Sequence, residues 1–123
     1  MSKRNLSKVT PLPIDRLVRR VPNDRYVCSE FMELEREKIF SRAWIMACPE
    51  WRLAQPGDYV TLDELDQSIL IVRDDSSQIR AFHNVCRHRG TRLLSKCGRI
   101  DGIQCPYHGW HYRLDGTLDR IPK

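Results

Sequence analysis

The sequence contains no long hydrophobic run, and this absence limits the kind of protein it can be. No apolar stretch approaches the roughly 20 residues that a transmembrane helix needs. The basic residues near the N-terminus are not followed by the short apolar segment of a secretory signal. Internal repeats and low-complexity segments are also missing. We therefore expect no association with a membrane and no repeat architecture.

Acidic residues are absent before Asp15, whereas Lys and Arg are frequent there. Pro11, Pro13 and Pro22 disfavour a helix in this region, so we predict an extended basic arm over residues 1–28. The whole chain carries a formal net charge of +5. No basic stripe interleaved with aromatic residues accompanies this charge, so we expect no nucleic-acid partner.

The composition is that of one globular domain. Of the 123 residues, 41% are hydrophobic and 30% are charged, which is unlike a disordered chain. Five cysteines are present, and two of them are assigned below to a metal centre. The other three, Cys28, Cys48 and Cys97, cannot all pair with one another. Reduced thiols and a cytoplasmic location are therefore expected.

Two short segments carry the chemistry of the chain. Residues 86–90 read CRHRG and residues 105–110 read CPYHGW, so each segment supplies one thiolate and one imidazole. A Rieske [2Fe–2S] cluster needs two cysteines and two histidines, and the glycine in each segment lets the backbone pass close to a sulfur atom. We predict one such cluster, with four ligand residues: Cys86, His88, Cys105 and His108.

A structural zinc site is the weaker alternative, since two cysteines and two histidines also satisfy tetrahedral Zn²⁺. Zinc fingers usually place their cysteines together and their histidines together. Here each segment contains one residue of each kind, and a cysteine and a histidine separated by one residue do not match that template. The spacing therefore favours the iron–sulfur cluster.

The two segments resemble the paired cluster loops of the Rieske-type aromatic ring-hydroxylating oxygenases, in their large (α) subunit. The resemblance runs from about residue 30 to the end and includes residues 40–44, 56–59, 71–73, 81–84 and 114–116. It implies an all-β fold, with a Rieske-type antiparallel β-sandwich and two cluster-binding loops over residues 45–123. It also implies that Cys86 and Cys105 bind one iron and that His88 and His108 bind the other.

The same resemblance implies an electron-transfer role in an oxidoreductase. Electrons would pass from an NAD(P)H-dependent reductase, or from a ferredoxin, to the cluster. They would then reach a mononuclear iron that activates O₂ to hydroxylate an aromatic or similar substrate. The catalytic domain, a trimeric assembly and in some members a β subunit would complete the enzyme.

We expect this chain to be a truncated portion of such a subunit, inactive alone. Only two histidines remain once His88 and His108 are assigned, and the sequence stops at Lys123, so the catalytic iron domain is expected to be missing. A free-standing Rieske ferredoxin that carries electrons is the alternative. The N-terminal arm and the helix predicted below favour the oxygenase portion, because such ferredoxins typically begin at the first strand.

The loops differ from those of the respiratory-complex Rieske proteins, which resemble them but carry a disulfide across the loops and a serine that donates to a sulfide. Thr91, Tyr107 and Trp110 occupy the equivalent positions here. We therefore expect no cross-loop disulfide. With one polar donor missing, we expect a reduction potential at the low end of the Rieske range, about −150 mV.

The remaining patterns predict the local structure. A helix is predicted over residues 29–44, with Ser29 as N-cap. Its apolar side would consist of Met32, Ile39, Phe40, Ala43 and Trp44. Strands are predicted at residues 58–62, 68–73 and 79–84, and residues 111–114 and 117–121 would form a hairpin around the Asp-Gly pair at 115 and 116.

Two further histidines and three arginines need an explanation. We interpret His83 and His111 as hydrogen-bonding residues of strands rather than ligands. The arginines at and near the first segment are Arg87, Arg89 and Arg92. They could attract an acidic electron donor. Alternatively, Arg89 or Arg92 could pair internally with a carboxylate such as Asp101, and the sequence leaves this choice open.

Overall fold

The computed structural model describes residues 22–122, which form two antiparallel sheets. The first sheet has the order β3-β2-β1-β4 and contains β1 (Asp58–Glu64), β2 (Gln67–Arg73), β3 (Ile79–His83) and β4 (Cys97–Arg99). The second sheet has the order β5-β6-β7 and contains β5 (Ile103–Gln104), β6 (His111–Tyr112) and β7 (Leu118–Arg120). The predicted antiparallel β class with one helix is confirmed, while most of the predicted basic arm lies outside the described residues.

Strand β2 lies at the centre of the packing. Its four successive apolar residues, 69–72, predict a strand covered on both faces. Leu70 packs with the residues between the two sheets, and Ile71 packs on the other side with Leu53 and Val60. The larger of these clusters consists of Leu70, Cys86, Ile103, Cys105 and Tyr112. Two of the predicted metal ligands therefore belong to the hydrophobic core.

The helical segment is shorter than predicted. The α-helix α1 spans Ser29–Glu35 and continues as a π-helical turn over Arg36–Phe40, so the prediction of a helix to residue 44 was wrong. The N–H of Ser41 donates to the Arg36 carbonyl five residues back (3.0 Å), and its hydroxyl donates to the Glu37 carbonyl (2.8 Å). This wider turn and the competing hydroxyl bond account for the end of the helix.

The start of α1 and its apolar side also differ from the prediction. Cys28, not Ser29, occupies the N-cap position, and no side chain caps the helix there. The predicted apolar side chains are exposed in this structure, among them Met32 (55%), Phe40 (44%) and Trp44 (fully exposed). Periodicity alone does not say whether an apolar helix side is covered by the same chain.

Among the described residues, no helix has both the length and the apolar character required to span a membrane.

Strands β2 and β3 match their predicted ranges, 68–73 and 79–84, to within one residue. Strand β1 extends two residues past its predicted end, because Leu65 and Asp66 form the β1–β2 turn with positive φ angles of 54° and 61°. Neither residue is a glycine, so the usual turn signal was missing. The hairpin strands are shorter than predicted, with a bulge between His111 and Tyr112. Strands β4 and β5 were not predicted, since two or three residues show no alternation.

Candidate metal centre

The first of the two predicted ligand segments forms a compact loop, residues 86–91, between β3 and β4. The N–H of Cys86 donates to the Thr91 carbonyl (2.8 Å), and the N–H of Gly90 donates back to the Cys86 carbonyl (2.9 Å). Gly90 has a φ of 72°, a conformation that side chains with a Cβ rarely adopt. The hydrogen bonds thus close the backbone into a loop and leave the side chains of its middle residues outside.

The second loop, residues 105–110, lies between β5 and β6 and repeats this pattern. The N–H of Cys105 donates to the Trp110 carbonyl (2.8 Å), and the N–H of Gly109 donates to the Cys105 carbonyl (3.0 Å). Gly109 has a φ of 68°. Both loops therefore begin with a cysteine, use the same pair of hydrogen bonds and need a left-handed glycine at their fifth position.

The two loops bring the four predicted ligand residues together with opposite exposure. Cys86 and Cys105 are 2% and 3% exposed and lie in the core between the sheets. His88 and His108 are exposed, and their ring centroids lie 4.7 Å apart at an interplanar angle of 62°. The sulfur atoms thus face the core while the imidazoles form the outer side of the site.

Tyr112 of β6 connects the second sheet to the first loop. Its hydroxyl lies 3.2 Å from the Sγ of Cys86 and accepts a hydrogen bond from the Arg87 N–H at 3.2 Å. Since a thiolate can only accept, the Tyr112 hydroxyl donates to the sulfur when Cys86 is ionised. Burial, followed by the contact with Cys86, raises the pKa of the Tyr112 phenol above its ordinary value. The phenol therefore keeps the proton that it donates.

The surroundings of Cys86 favour its thiolate. Burial raises the pKa of this thiol, but the hydrogen bonds around the sulfur outweigh burial and hold the pKa below its ordinary value. These bonds come, in order of their effect, from the Tyr112 hydroxyl, the His88 N–H, Cys105 and the Arg89 N–H. A thiolate is the form that binds a metal, so the loop prepares Cys86 for that role.

Aromatic rings flank both histidines. The Trp110 ring stacks on the His88 imidazole, with centroids 4.9 Å apart and planes within 2° of parallel. The Tyr107 ring lies 3.8 Å from the His108 ring at an angle of 31°. Trp110 is partly buried against the core between the sheets, whereas Tyr107 is 59% exposed. The two imidazoles thus differ in how firmly their neighbours are held.

Asn84 supports the first loop from inside the protein. Its side-chain amide donates to the Ser68 hydroxyl (3.1 Å) and to the Leu94 carbonyl (2.7 Å), and its carbonyl oxygen accepts the Leu94 N–H (3.0 Å). Asn84 is 2% exposed, so these bonds satisfy a buried polar group. Sequence reasoning did not assign this role, since an asparagine at a strand end carries no signal for a contact ten residues further along.

The other candidate residues lie apart from the ligand set or serve different contacts. His83 ends β3 and is exposed. The Nδ1 of His111 lies 3.3 Å from a carboxylate oxygen of Asp119 without a regular hydrogen bond. Arg92 forms an ion pair with Asp63, so Arg92 has the internal carboxylate partner that was one of the two alternatives, although this partner is Asp63 and not Asp101. Within residues 22–122, Arg87 and Arg89 form no ion pair.

The donor set fits a binuclear iron–sulfur cluster. Two buried thiols suit iron and sulfide, and two imidazoles complete a mixed set. In the described part of the chain, no three Cys, His, Asp or Glu side chains converge on a point that could hold one metal ion. In a Rieske cluster each iron has only two protein ligands. Ligand residues that come in pairs are therefore compatible with such a cluster.

Comparison with known proteins identifies oxygenase subunits as relatives. The chain is 45% identical over 98 residues to the carnitine monooxygenase oxygenase subunit of Acinetobacter baumannii, covering 79% of this chain and 26% of the relative. It is 33% identical over 119 residues to the benzene 1,2-dioxygenase subunit alpha of Pseudomonas putida, covering 96% of this chain and 26% of that protein. The chain thus spans about a quarter of the length of these relatives.

Solved structures agree with the sequence relatives. The crystal structure of the quaternary ammonium Rieske monooxygenase CntA with L-carnitine matches with a TM-score of 0.78 and 43% identity, over 83% of this chain and 29% of that one. Naphthalene 1,2-dioxygenase with indole matches with a TM-score of 0.69 and 37% identity, over 76% of this chain and 21% of that one. The family described as Rieske [2Fe-2S] domain matches residues 43–123, a range that includes all four predicted ligand residues. This chain therefore belongs to the Rieske [2Fe–2S] domain family, whose members bind a Rieske-type cluster.

Proposed function

We propose that this chain is the electron-relay part of a Rieske oxygenase subunit and binds one [2Fe–2S] cluster through Cys86, His88, Cys105 and His108. The observation that carries the proposal is the pair of loops with one hydrogen-bonding pattern, each of which places a thiol in the core and an imidazole at the surface. The relatives named above are oxygenase subunits, which supports this role over that of a free-standing ferredoxin.

When bound, the cluster accepts and donates one electron at a time. The residues of this chain prepare the site for that chemistry. Burial of Cys86 and Cys105 keeps water away from both sulfurs. The Tyr112 hydroxyl and the loop N–H groups direct partial positive charge at the Cys86 sulfur, which stabilises additional negative charge there. The exposed rings of His88 and His108 form the side from which a partner protein can approach.

The donor in this proposal is an NAD(P)H-dependent reductase or a ferredoxin, and the acceptor is the mononuclear iron of the oxygenase. The comparisons favour a quaternary ammonium substrate over the aromatic one expected from the family resemblance. The chain is 45% and 41% identical to carnitine monooxygenase subunits and 33% identical to the benzene dioxygenase subunit. We propose a quaternary ammonium substrate ahead of an aromatic one. Oxygen uptake by the whole oxygenase with its donor, compared between carnitine, glycine betaine and benzene, tests this order.

The ligand assignment is tested by substitution and spectroscopy on the 123-residue chain. The wild-type protein should contain two irons and two acid-labile sulfides per chain and give a rhombic EPR signal after reduction with dithionite. Cys86→Ser and His108→Ala should abolish this signal. Cys97→Ser and His83→Ala are matched controls, because both residues are exposed and lie outside the two loops. A colourless wild-type protein that binds one zinc would overturn the proposal.

The oxygenase role has a separate test in the coding DNA beyond Lys123. An in-frame continuation that encodes two histidines and a carboxylate suited to a mononuclear iron would support it. A stop codon directly after Lys123, in the natural gene, would instead favour the electron-carrier alternative. This outcome leaves the cluster assignment unchanged, so the two parts of the proposal can fail independently.

A further inference from the structure

We propose that Trp110 is a positioning residue that fixes the orientation of the His88 imidazole and thereby ties the two loops together. The inference rests on the proposed role of His88 as a cluster ligand and adds a residue that this role alone does not require. In this arrangement the stacked pair of rings provides a non-covalent contact between the two loops, whose only cysteines are the proposed ligands Cys86 and Cys105.

The backbone of Trp110 is fixed independently of its ring. The Trp110 carbonyl accepts the Cys105 N–H that closes the second loop (2.8 Å), and strand β6 begins at the next residue. The side chain is partly buried and packs against the core cluster between the sheets. An indole held by both its backbone and its packing has few alternative rotamers, so it can restrain a ring that it contacts.

The Trp110 indole contacts the His88 imidazole, which belongs to the first loop. His88 follows Cys86 by two residues, is exposed, and has its imidazole parallel to the indole within 2° at 4.9 Å between centroids. Parallel stacking opposes rotation of the imidazole about its side-chain bonds, because any rotation separates the two ring faces. A ligand imidazole whose plane is fixed before the metal arrives loses less conformational entropy on binding.

Among the described residues, no ring stacks in parallel on the His108 imidazole as Trp110 does on that of His88. The ring nearest to His108 is that of Tyr107, its neighbour in the chain, which is tilted by 31° and 59% exposed. Tyr107 therefore joins nothing to the other loop. Tyr112 also contacts the first loop, but it reaches the sulfur of Cys86 and not an imidazole. Trp110 and Tyr112 thus restrain different ligand residues of the first loop.

The test compares Trp110→Leu and Trp110→Phe with Trp44→Leu in the 123-residue chain. Trp44 is fully exposed, so its replacement removes an indole without altering either loop. Three quantities are measured: the EPR g-values, the nitrogen couplings of the histidine ligands by pulsed EPR, and the rate at which EDTA bleaches the visible absorption. Each reports on the ligands directly and needs no catalytic turnover.

We expect Trp110→Leu to change one set of nitrogen couplings and to accelerate bleaching about three- to tenfold, which corresponds to the loss of one aromatic pair. Trp110→Phe should restore most of the wild-type behaviour, because an aromatic ring remains, and Trp44→Leu should match wild type. Suppose that the wild-type chain holds a cluster and that both Trp110 variants have the couplings and the bleaching rate of wild type. The inference is then overturned, while the proposed function stands. A wild-type chain without a cluster would overturn both. If Trp110→Leu does not fold, Trp110→Met takes its place, because it also removes the aromatic ring while keeping a large apolar side chain. Wild-type couplings and a wild-type bleaching rate in Trp110→Met would contradict the inference.

Discussion

At the scale of single residues, hydrogen-bond donors surround the buried Cys86 sulfur. The Cys86 sulfur lies next to the Tyr112 hydroxyl and the N–H groups of its own loop. A hydrogen bond to a sulfur ligand is stronger when the metal centre is reduced, because the sulfur is then more negative. Tyr112 should therefore raise the reduction potential of a bound cluster and partly replace the polar donor that was expected to be missing.

We predict that Tyr112→Phe lowers the reduction potential. A hydrogen bond worth about 0.5–1.5 kcal/mol corresponds to roughly 20–60 mV for a one-electron couple. Voltammetry of the purified chain measures the change. Tyr107→Phe is the control, since Tyr107 contacts the His108 ring and its hydroxyl makes no bond to either cysteine sulfur among the described residues. An equal fall in both variants would contradict the assignment to Tyr112.

The sequence predicts four candidate ligand residues but not the residues that support them. Cysteine and histidine within one short segment limit the chemistry by their types and spacing alone. Tyr112 and Asn84 act through contacts 26 and 10 residues away in the chain, with Cys86 and Leu94. Such contacts depend on how the sheets pack, which no local pattern records. The sequence shows Trp110 as part of a motif, but it does not predict that the Trp110 ring stacks on His88 of the first loop.

At the scale of secondary structure, the turn between β2 and β3 contains a buried carboxylate. Asp74 is 3% exposed; its Oδ1 accepts the N–H groups of Ser76 (2.9 Å) and Gln78 (2.8 Å), and its Oδ2 accepts the Arg80 Nε (2.8 Å). The Arg80 hydrogen bond, followed by that of Gln78, holds the pKa of Asp74 below its ordinary value. The ionised form therefore stabilises the folded state at every pH above the unfolded pKa.

We predict that Asp74→Asn lowers the urea midpoint at pH 7 and that this difference shrinks with acidification. A lowered folded-state pKa means that the stabilisation is complete above the unfolded value of about 3.9 and is lost as the pH falls through the folded value. Urea unfolding followed by circular dichroism between about pH 7 and pH 3 measures both effects. The neighbouring Asp75 is exposed, so Asp75→Asn should leave the midpoint unchanged. A pH-independent difference for Asp74→Asn would show that lost packing, and not charge, is responsible.

In the β6–β7 turn of the second sheet, one glycine lies close to a side chain of the first sheet. Gly116 has a φ of 87°, and a Cβ at this position would lie 2.6 Å from the Phe82 ring of β3. We predict that Gly116→Ala costs about 1–3 kcal/mol for the backbone conformation alone, with a further loss from the contact with Phe82. Gly90 is the matched control, because its φ is 72° but no atom lies within 4 Å of the corresponding Cβ. Urea midpoints should fall further for Gly116→Ala than for Gly90→Ala, and equal values would contradict a role for Phe82.

The predicted elements succeeded where burial and turn chemistry acted together. Strand β2 and the Asp-Gly turn at residues 115 and 116 have strong local signals, and both occur in the structure. The β1–β2 turn at Leu65 and Asp66 has no such signal, so the end of β1 was misplaced. The helix prediction overran because Ser41 competes for backbone carbonyls, and side-chain competition of this kind is set by geometry rather than by periodicity.

At the scale of the whole molecule, the candidate site has an inner side formed by the two sulfurs and an outer side formed by the two imidazoles. The sulfurs of Cys86 and Cys105 share a core with Leu70 of the first sheet and Ile103 of the second, so the position of both loops depends on the packing of the two sheets. The imidazoles and the adjacent basic residues form the outer side. A partner protein therefore meets positive charge where the site is most accessible.

We expect Arg87 and Arg89 to steer an acidic electron donor to this outer side. Both are exposed on either side of His88, and within residues 22–122 neither is neutralised by an ion pair, in contrast to Arg92 with Asp63. Opposite charges accelerate encounter most at low ionic strength, because salt screens them within about 10 Å at 0.1 M. Exposed charges of this kind affect association rate more than the stability of the complex.

The prediction is tested with the double variant Arg87→Gln/Arg89→Gln. The control is Lys38→Gln/Arg42→Gln, which changes the net charge equally in the helical segment and just after it. A reduced acidic [2Fe–2S] ferredoxin serves as the donor, and stopped-flow absorption follows its oxidation. The loop variant should react several-fold to about tenfold more slowly at low salt and depend less on salt than wild type. The helix variant should keep the wild-type rate and salt dependence. If both variants slow equally, net charge alone attracts the donor, and the outer side of the site has no special role in docking.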